Sequence, residues 1–519
     1  MKNLHIALLC GALFLFAGTQ KIFAQAGSPD LTFGTNGLVT TDINLHDEAY
    51  SLALQPDGKI LAAGFNTNSN EDFTVVRYNP NGSLDPSFGT GGIATTDFGS
   101  GNDRAYEVLL QPDGKIVLVG YAFGLSGNSD FALARFLSNG TLDTSFGNLG
   151  KVTTDLTGNY DYAFAGALQP DGKILASGPI GVGDIGIVRY NTDGTLDNTF
   201  NSTGILDADL NGGYNCVFTL LVQPDNKIVV SGFGFNNIDY DFSIARFNPD
   251  GSFDNTFGTN GQVLTPVGPA EDKGNGMVLQ PDGKIIVVGH SWNAATTDTE
   301  YGMVRYNSDG SLDLSFGTNG IARGPLSNTY DYLNAVTLQP DGKIVASGQT
   351  STPGFTDLAL VRFNTNGTLD TSFNGTGIVA RDVFGQEDIG NAVLMQPDGK
   401  ILMAGSAQIS PEVDFVVARY LSDLNLQTVN FTELNGATFI YPNPVSENSV
   451  LEYSLTQAEE ISIEIFDAQG KLVSTLQKNQ LQTEGQHQQQ LNLPNNLASG
   501  TYFIVLSTAQ GKVSVEIVK

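Results

Sequence analysis

The chain has 519 residues, of which 40% are hydrophobic, only 15% are charged and 61 are glycine. That length exceeds one ordinary core, so several domains or a repeat architecture are expected, and the small charged fraction excludes a highly charged disordered chain. The formal charge of −29 repels phosphates and anionic lipid, which argues against nucleic acid and membrane surfaces as partners.

Residues 1–26 read as a secretory signal. Lys2 supplies the positive start, Ile6–Ala17 is an apolar run, and Ala24-Gln25-Ala26 offers cleavage after Ala24 or after Ala26. The run is shorter than the roughly 20 residues of a spanning helix, and no later segment qualifies as transmembrane. Removing the leader removes Cys10. Cys216 then stands alone in an apolar stretch, which excludes an internal disulfide or a cysteine metal site and reads as a small core residue.

Internal repeats dominate the chain beyond the leader. Gln-Pro-Asp recurs at Gln55, Gln111, Gln169, Gln223, Gln280, Gln339 and Gln396, with spacings of 54 to 59 residues. Asp-x-x-Phe starts at Asp30, Asp85, Asp143, Asp197, Asp254, Asp313 and Asp370. Arg followed by Tyr or Phe stands at Arg77, Arg135, Arg189, Arg246, Arg305, Arg362 and Arg419. The three markers keep one order, so Asp30 to about Asp423 holds seven units.

Each unit reads as four strands. In the second unit these are Ile93–Thr96 after a glycine, Tyr106–Leu110, the nearly all-apolar Ile116–Gly120, and Phe131–Phe136 carrying the arginine. Pro-Asp-Gly joins the second strand to the third, with glycine at the positive φ that closes the hairpin. Asn226 replaces that glycine in the fourth unit and is the residue next best able to take the conformation. A glycine ending the third strand, Gly64 in the first unit and Gly405 in the last, predicts a close backbone approach or a sharp exit. No segment shows helical periodicity. The reading is therefore all-β: a seven-bladed β-propeller of four-stranded sheets with a period near 57 residues, closed so that no long edge is open. The alternative, a linear solenoid, would show distinct capping units, and the first and last units here match the middle ones.

The Asp-x-x-Phe-Gly, Leu-Gln-Pro-Asp-Gly-Lys-Ile and Ala-Arg-Phe-Asn-x-x-Gly-x-Leu-Asp elements resemble the delta-60 repeats of bacterial surface and secreted proteins. That resemblance covers residues 27–423 and implies an architecture more than an activity.

Residues 424–436 lack period or motif and read as a linker. From Ala437 to Lys519 seven short alternating segments predict a small Ig-like antiparallel β-sandwich. Tyr441-Pro442-Asn443-Pro444, Asp467-Ala468-Gln469-Gly470-Lys471-Leu472 and Leu497-x-x-Gly500-Thr501-Tyr502-Phe503 resemble the C-terminal sorting domain of type IX secretion cargo. The resemblance implies a Bacteroidota-type source, passage across the outer membrane by the type IX machinery, and removal of the module by a sortase-like peptidase. Release, or anchoring to surface lipopolysaccharide, would follow.

Chemistry-bearing residues are sparse. His46, His290 and His487 lie in separate units, and no nucleophile elbow, zinc-protease helix motif, phosphate loop or Cys-x-x-Cys occurs. The repeated arginine reads as structural, bonding backbone carbonyls or the Asp of Asp-x-x-Phe. The lysine after each hairpin (Lys59, Lys115, Lys173) reads as a solvated charge. Links such as Asn191-Thr192-Asp193-Gly194 resemble half of a calcium loop; local turn bonding explains them without metal, so the reading is no cofactor, with calcium at these links as the alternative.

An up-and-down blade puts the Pro-Asp-Gly hairpins on one face and the variable loops on the other. That second face carries the candidate ligand-binding residues Asp47, Asp103, Asp161, Asp272, Asp331, Asp388, Tyr160, Tyr330 and Trp292, whose carboxylates and rings would suit a glycan or a cationic protein. The leading expectation is a non-catalytic secreted or surface binding protein. The competing one is a polysaccharide hydrolase or lyase, which would need two carboxylates in one pocket.

Overall fold

A computed structural model describes residues 25–422, apart from short loop gaps, and most strands of 439–518. The expected signal peptide falls almost entirely, and the linker entirely, outside the described residues. The chain divides into two compact units, Met1–Asp423 and Leu424–Lys519.

The first unit is built of seven four-stranded antiparallel sheets, and the described residues contain no helix. Blade 1 runs Asp47–Leu54, Ile60–Thr67, Glu71–Tyr78 and Ile93–Thr96 from inside to outside. The blades are offset from the sequence repeat by one strand. The strand after each Asp-x-x-Phe, which sequence order makes the opening strand of its own unit, is the outer strand of the preceding blade. The last blade accordingly takes Asp388–Met395, Ile401–Ile409 and Glu412–Tyr420 from the chain end, and Leu38–Thr41 from its start. Leu38 pairs with Ala418 and Thr41 with Phe415. This splice closes the ring, as the propeller reading requires and an open solenoid would not. A core of Phe33, Ala49 and Ile60 against Leu402, Phe415 and Val417 joins the first blade to the last.

The turn chemistry is as expected. Gly58, Gly114, Gly172, Gly283, Gly342 and Gly399 have φ of 81° to 85°, and Asn226 takes 63°. At the foot of each blade the arginine is almost fully buried. It meets the next Asp-x-x-Phe aspartate at 2.7–2.9 Å, from Arg77–Asp85 round to Arg419–Asp30. Its guanidinium lies 4.4–4.8 Å from the ring centre of the phenylalanine in the same motif. Arg77 also donates to the Ser138 carbonyl of the following repeat, at 2.5 Å, and so ties two blades together. The hairpin lysine is not merely solvated. Its ammonium reaches the same aspartate at 2.9–3.5 Å, so each carboxylate answers two cations.

The second unit is a sandwich of two sheets. One is Phe439–Tyr441, Val450–Leu455 and Gly485–Gln490, and the other is Leu472–Gln482, Glu459–Asp467, Thr501–Ser507 and Lys512–Val518. Leu451, Tyr453, Ile461, Ile463, Ile465, Ile504 and Leu506 form its core. No helix among the described residues is long and apolar enough to cross a membrane.

Candidate functional site

The innermost strands of the seven blades neighbour one another in a closed circle around a central channel. In six of them the pairing with the second strand slips by one residue, at Tyr50, Tyr106, Phe218, Asn275, Asn334 and Asn391. In blade 3 the innermost strand is interrupted just before Ala165, and Phe164 occupies the equivalent place. The slip follows from the glycine that every unit carries opposite. A Cβ on Gly64 would stand 1.8 Å from the Glu48 carbonyl oxygen, and one on Gly120 or Gly232 1.9 Å from the oxygens of Arg104 and Cys216. The strand bulges into that gap and turns one extra side chain toward the axis.

The seven extra residues divide the ring by chemistry. Blades 1 to 4 contribute Tyr50, Tyr106, Phe164 and Phe218, and blades 5 to 7 contribute Asn275, Asn334 and Asn391; all seven line one cavity of about 580 Å³. The aromatic half is continuous, with ring centres of Tyr50 and Tyr106 4.6 Å apart, Tyr106 and Phe164 4.8 Å, and Phe164 and Phe218 5.7 Å. Each asparagine Nδ2 donates to a carbonyl of the next innermost strand: Asn275 to Leu333 at 3.0 Å, Asn334 to Gly390 at 3.2 Å, and Asn391 to Ala49 at 3.0 Å. Those bonds fix each amide.

Glu107 and His290 also share the wall. Glu107 is pushed up to about 7 by burial, against the Ser51 hydroxyl (2.6 Å) and the Val108 N–H that favour its charged form. His290, 4.4 Å from Tyr332, is pushed down to about 3 by burial and then by the charge of Lys273, so it stays neutral at ordinary pH.

The expected site residues are placed differently. Asp47, Asp103, Asp161, Asp272, Asp331 and Asp388 are all 0% exposed. Each turns inward to accept backbone N–H groups from the loop before it, as Asp47 does from Ile43 (2.7 Å) and Asn44 (2.8 Å) and Asp331 does from Leu326 and Ser327. These carboxylates are therefore closed to solvent, whereas the rings of Tyr160 and Tyr330 are open to it. Tyr160 is 51% exposed and Tyr330 46%. Tyr160 stacks on Tyr162 in the approach to blade 3. Trp292 and Tyr330 sit apart from it, on either side of Thr299 where blade 5 meets blade 6. Sequence reasoning missed the bulge residues. Their signal was present: an aromatic or asparagine stands three residues after each of Asp47, Asp103, Asp161, Asn215, Asp272, Asp331 and Asp388. Cys216 is buried, and its thiol is pushed up to about 12 by that burial, as befits an inert core residue.

Fold and channel together define an all-β propeller with an asymmetric aromatic and amide channel, fused to a small sandwich module. The family described as "Domain of unknown function (DUF5122) beta-propeller" matches residues 55–88, 111–146, 169–200, 223–257, 280–316, 339–373 and 396–426. The secretion system C-terminal sorting domain matches residues 439–519. The chain belongs to this propeller repeat family and carries a type IX sorting domain, which makes it a protein exported to the cell surface or exterior. No curated protein matches its sequence. Among solved structures it is similar to PorZ, a surface component of the type IX secretion system of Porphyromonas gingivalis, at 11% identity and a TM-score of 0.37, over 90% of this chain and 58% of that one. It is also similar to an ulvan lyase of polysaccharide lyase family 25 (13%, TM-score 0.43, 73% and 94% covered). A third is the propeller domain of the Trilobed protease of Pyrococcus furiosus (12%, 0.37, 72% and 94%). The chain thus spans little more than half the length of PorZ, and likeness at this level speaks to no activity.

Proposed function

We propose that the protein is a secreted, non-catalytic carbohydrate-binding propeller whose ligand enters the channel from the variable-loop face. The observation that carries this reading is the divided ring. Four packed aromatic residues offer apolar faces, and three oriented asparagine amides stand opposite across the same cavity. Small-ligand sites combine aromatic faces with a few fixed polar groups, and sugars present both apolar C–H faces and hydroxyls. Every one of the seven is half-buried, as a wetted channel wall requires. Tyr160, Trp292 and Tyr330 would extend the contact at the rim. After export, a sortase-like peptidase would remove residues 437–519, leaving the propeller free or held on surface lipopolysaccharide.

One observation favours a second reading. Glu107, held near 7, has the proton affinity of a general acid in polysaccharide cleavage. A glycan-array screen combined with a polysaccharide degradation assay on the processed form separates the two. Binding without cleavage supports the proposal, cleavage abolished in Glu107→Gln supports the enzyme, and no glycan binding at all refutes both.

A further inference from the structure

The inward-turned aspartates also crowd against other carboxylates, a feature with no part in carbohydrate binding. Where blade 7 meets blade 1, Asp414 from the third strand, Asp42 just past the outer strand and Asp47 at the head of the next innermost strand converge. One carboxylate oxygen from each lies within 4.8 Å of the other two. The same three positions converge at three more junctions, as Asp72–Asp97–Asp103, Asp130–Asp155–Asp161 and Asp357–Asp382–Asp388. The remaining junctions break the pattern in sequence: Asn215 replaces the strand-head aspartate in one, and Pro266 and Pro325 replace the middle residue in the other two.

Crowding of carboxylates alone would not make a site. The independent observation, made at two of these junctions, is that buried inward oxygens are unsatisfied, whereas both oxygens of Asp103 and of Asp161 accept hydrogen bonds. Asp414 is 4% exposed, yet its Oδ1 has no hydrogen-bond partner. Asp47, 0% exposed, spends Oδ2 on two backbone N–H groups while Oδ1 is without a partner. Asp388 likewise spends Oδ2 on the Val383 N–H and leaves Oδ1 without one. A buried charged oxygen without a donor is costly, and three mutually repelling carboxylates compound the cost. Among the described residues, no Lys or Arg is ion-paired to the Asp414 triad.

We propose that the Asp42–Asp47–Asp414 and Asp357–Asp382–Asp388 triads are divalent-cation sites, best suited to calcium, that clamp blade 7 to blade 1 and blade 6 to blade 7 on the variable-loop face. Oxygens within 4.8 Å of one another can share a cation at the roughly 2.3–2.6 Å that calcium takes, and flexible all-oxygen coordination is its preference. The backbone N–H bonds to Oδ2 hold each strand-head carboxylate in place for this, which is the role of outer partners around a metal ligand. The Asp42–Asp47–Asp414 site has a further consequence. It lies where the chain's first strand completes its last blade, so a cation there fastens the ring closure.

The test uses the full mature chain and calcium chloride alone. Isothermal titration should show about two saturable sites per chain, with dissociation constants of about 0.1–1 mM, as extracellular calcium modules show. At about 10 mM calcium the melting temperature should rise by about 5 °C. Potassium at matched ionic strength should not reproduce the rise. An Asp42→Asn/Asp414→Asn variant should bind one ion fewer and gain less from calcium. Without calcium it should melt no lower than the parent, because two repelling charges are gone. Should that variant fail to fold, Asp382→Asn, at the exposed ligand of the other junction, must likewise remove one site. No saturable binding up to about 10 mM, an equal rise with potassium, or an unchanged stoichiometry in the variants overturns the proposal.

Discussion

Replacing Asp85 by Ala probes the repeated staple at the foot of the propeller. The Asp85 carboxylate accepts from Arg77 Nε at 2.8 Å, Lys59 Nζ at 3.1 Å, and the Ser87 hydroxyl and N–H at 2.7 and 3.1 Å. The Arg77 side chain is 7% exposed, so removing its partner leaves a buried guanidinium held by one carbonyl and a hydroxyl. Breaking a buried pair from one side costs about 3–5 kcal/mol, and the retained Arg77–Phe88 stacking places the expected loss near about 4 kcal/mol. Unfolding entropy of about 2.1 cal/mol/K per residue over about 400 residues makes this a fall of roughly 5 °C, if the ring melts as one unit. Asp57→Ala is the internal control. Asp57 also meets Lys59, at 3.5 Å, but its side chain is 57% exposed, so the expected loss is below about 1 kcal/mol. Urea unfolding followed by circular dichroism reads both. Equal midpoints for the two variants would refute the view that burial, rather than ion pairing as such, gives the staple its weight.

Acid should weaken the fold in a defined window. Against the upward push of burial, the Ser145 hydroxyl and N–H and the charges of Arg135 and Lys115 hold Asp143 at about 2, and the other staple aspartates are likewise lowered. A folded value below the unfolded one of about 3.9 gives stability that is whole above about pH 4 and lost as pH falls towards about 2; urea midpoints between about pH 5 and pH 2 should trace that loss, and Asp143→Asn should remove only its own share of it. Gly64→Ala should lower stability by more than about 2 kcal/mol in the same assay, because its Cβ would stand 1.8 Å from the Glu48 oxygen. At the rim, Tyr160→Ala, Trp292→Ala and Tyr330→Ala should weaken any glycan binding several-fold while leaving the melting temperature within about 1 °C. Deleting residues 437–519 should prevent export, read as loss of the protein from the cell surface and medium.

The repeat markers made most of the fold legible, because each stands for a local constraint. Pro-Asp-Gly encodes a hairpin whatever lies around it, and the arginine and Asp-x-x-Phe recur together because they bond to each other. The strand offset was not legible. Ile93–Thr96 follows its glycine in sequence like the start of a unit, and only hydrogen bonding shows that it pairs with Phe73–Val76 of the blade before. Asp47 and its equivalents lie next to polar loops and read as exposed, but the unpaired N–H groups of those loops draw the carboxylates inward. The channel ring escaped notice because a bulge depends on the strand opposite: Tyr50 points to the axis only because Gly64 lets the Glu48 carbonyl come close.

The central claim, that the divided ring binds carbohydrate, is tested most directly by calorimetric titration of the strongest array-positive oligosaccharide into the processed propeller and into Tyr106→Ala and Asn334→Ala. Each variant should bind at least about ten-fold more weakly, roughly 1.4 kcal/mol, as expected for a central contact. Unchanged affinity in both variants, with the fold intact by circular dichroism, would contradict it.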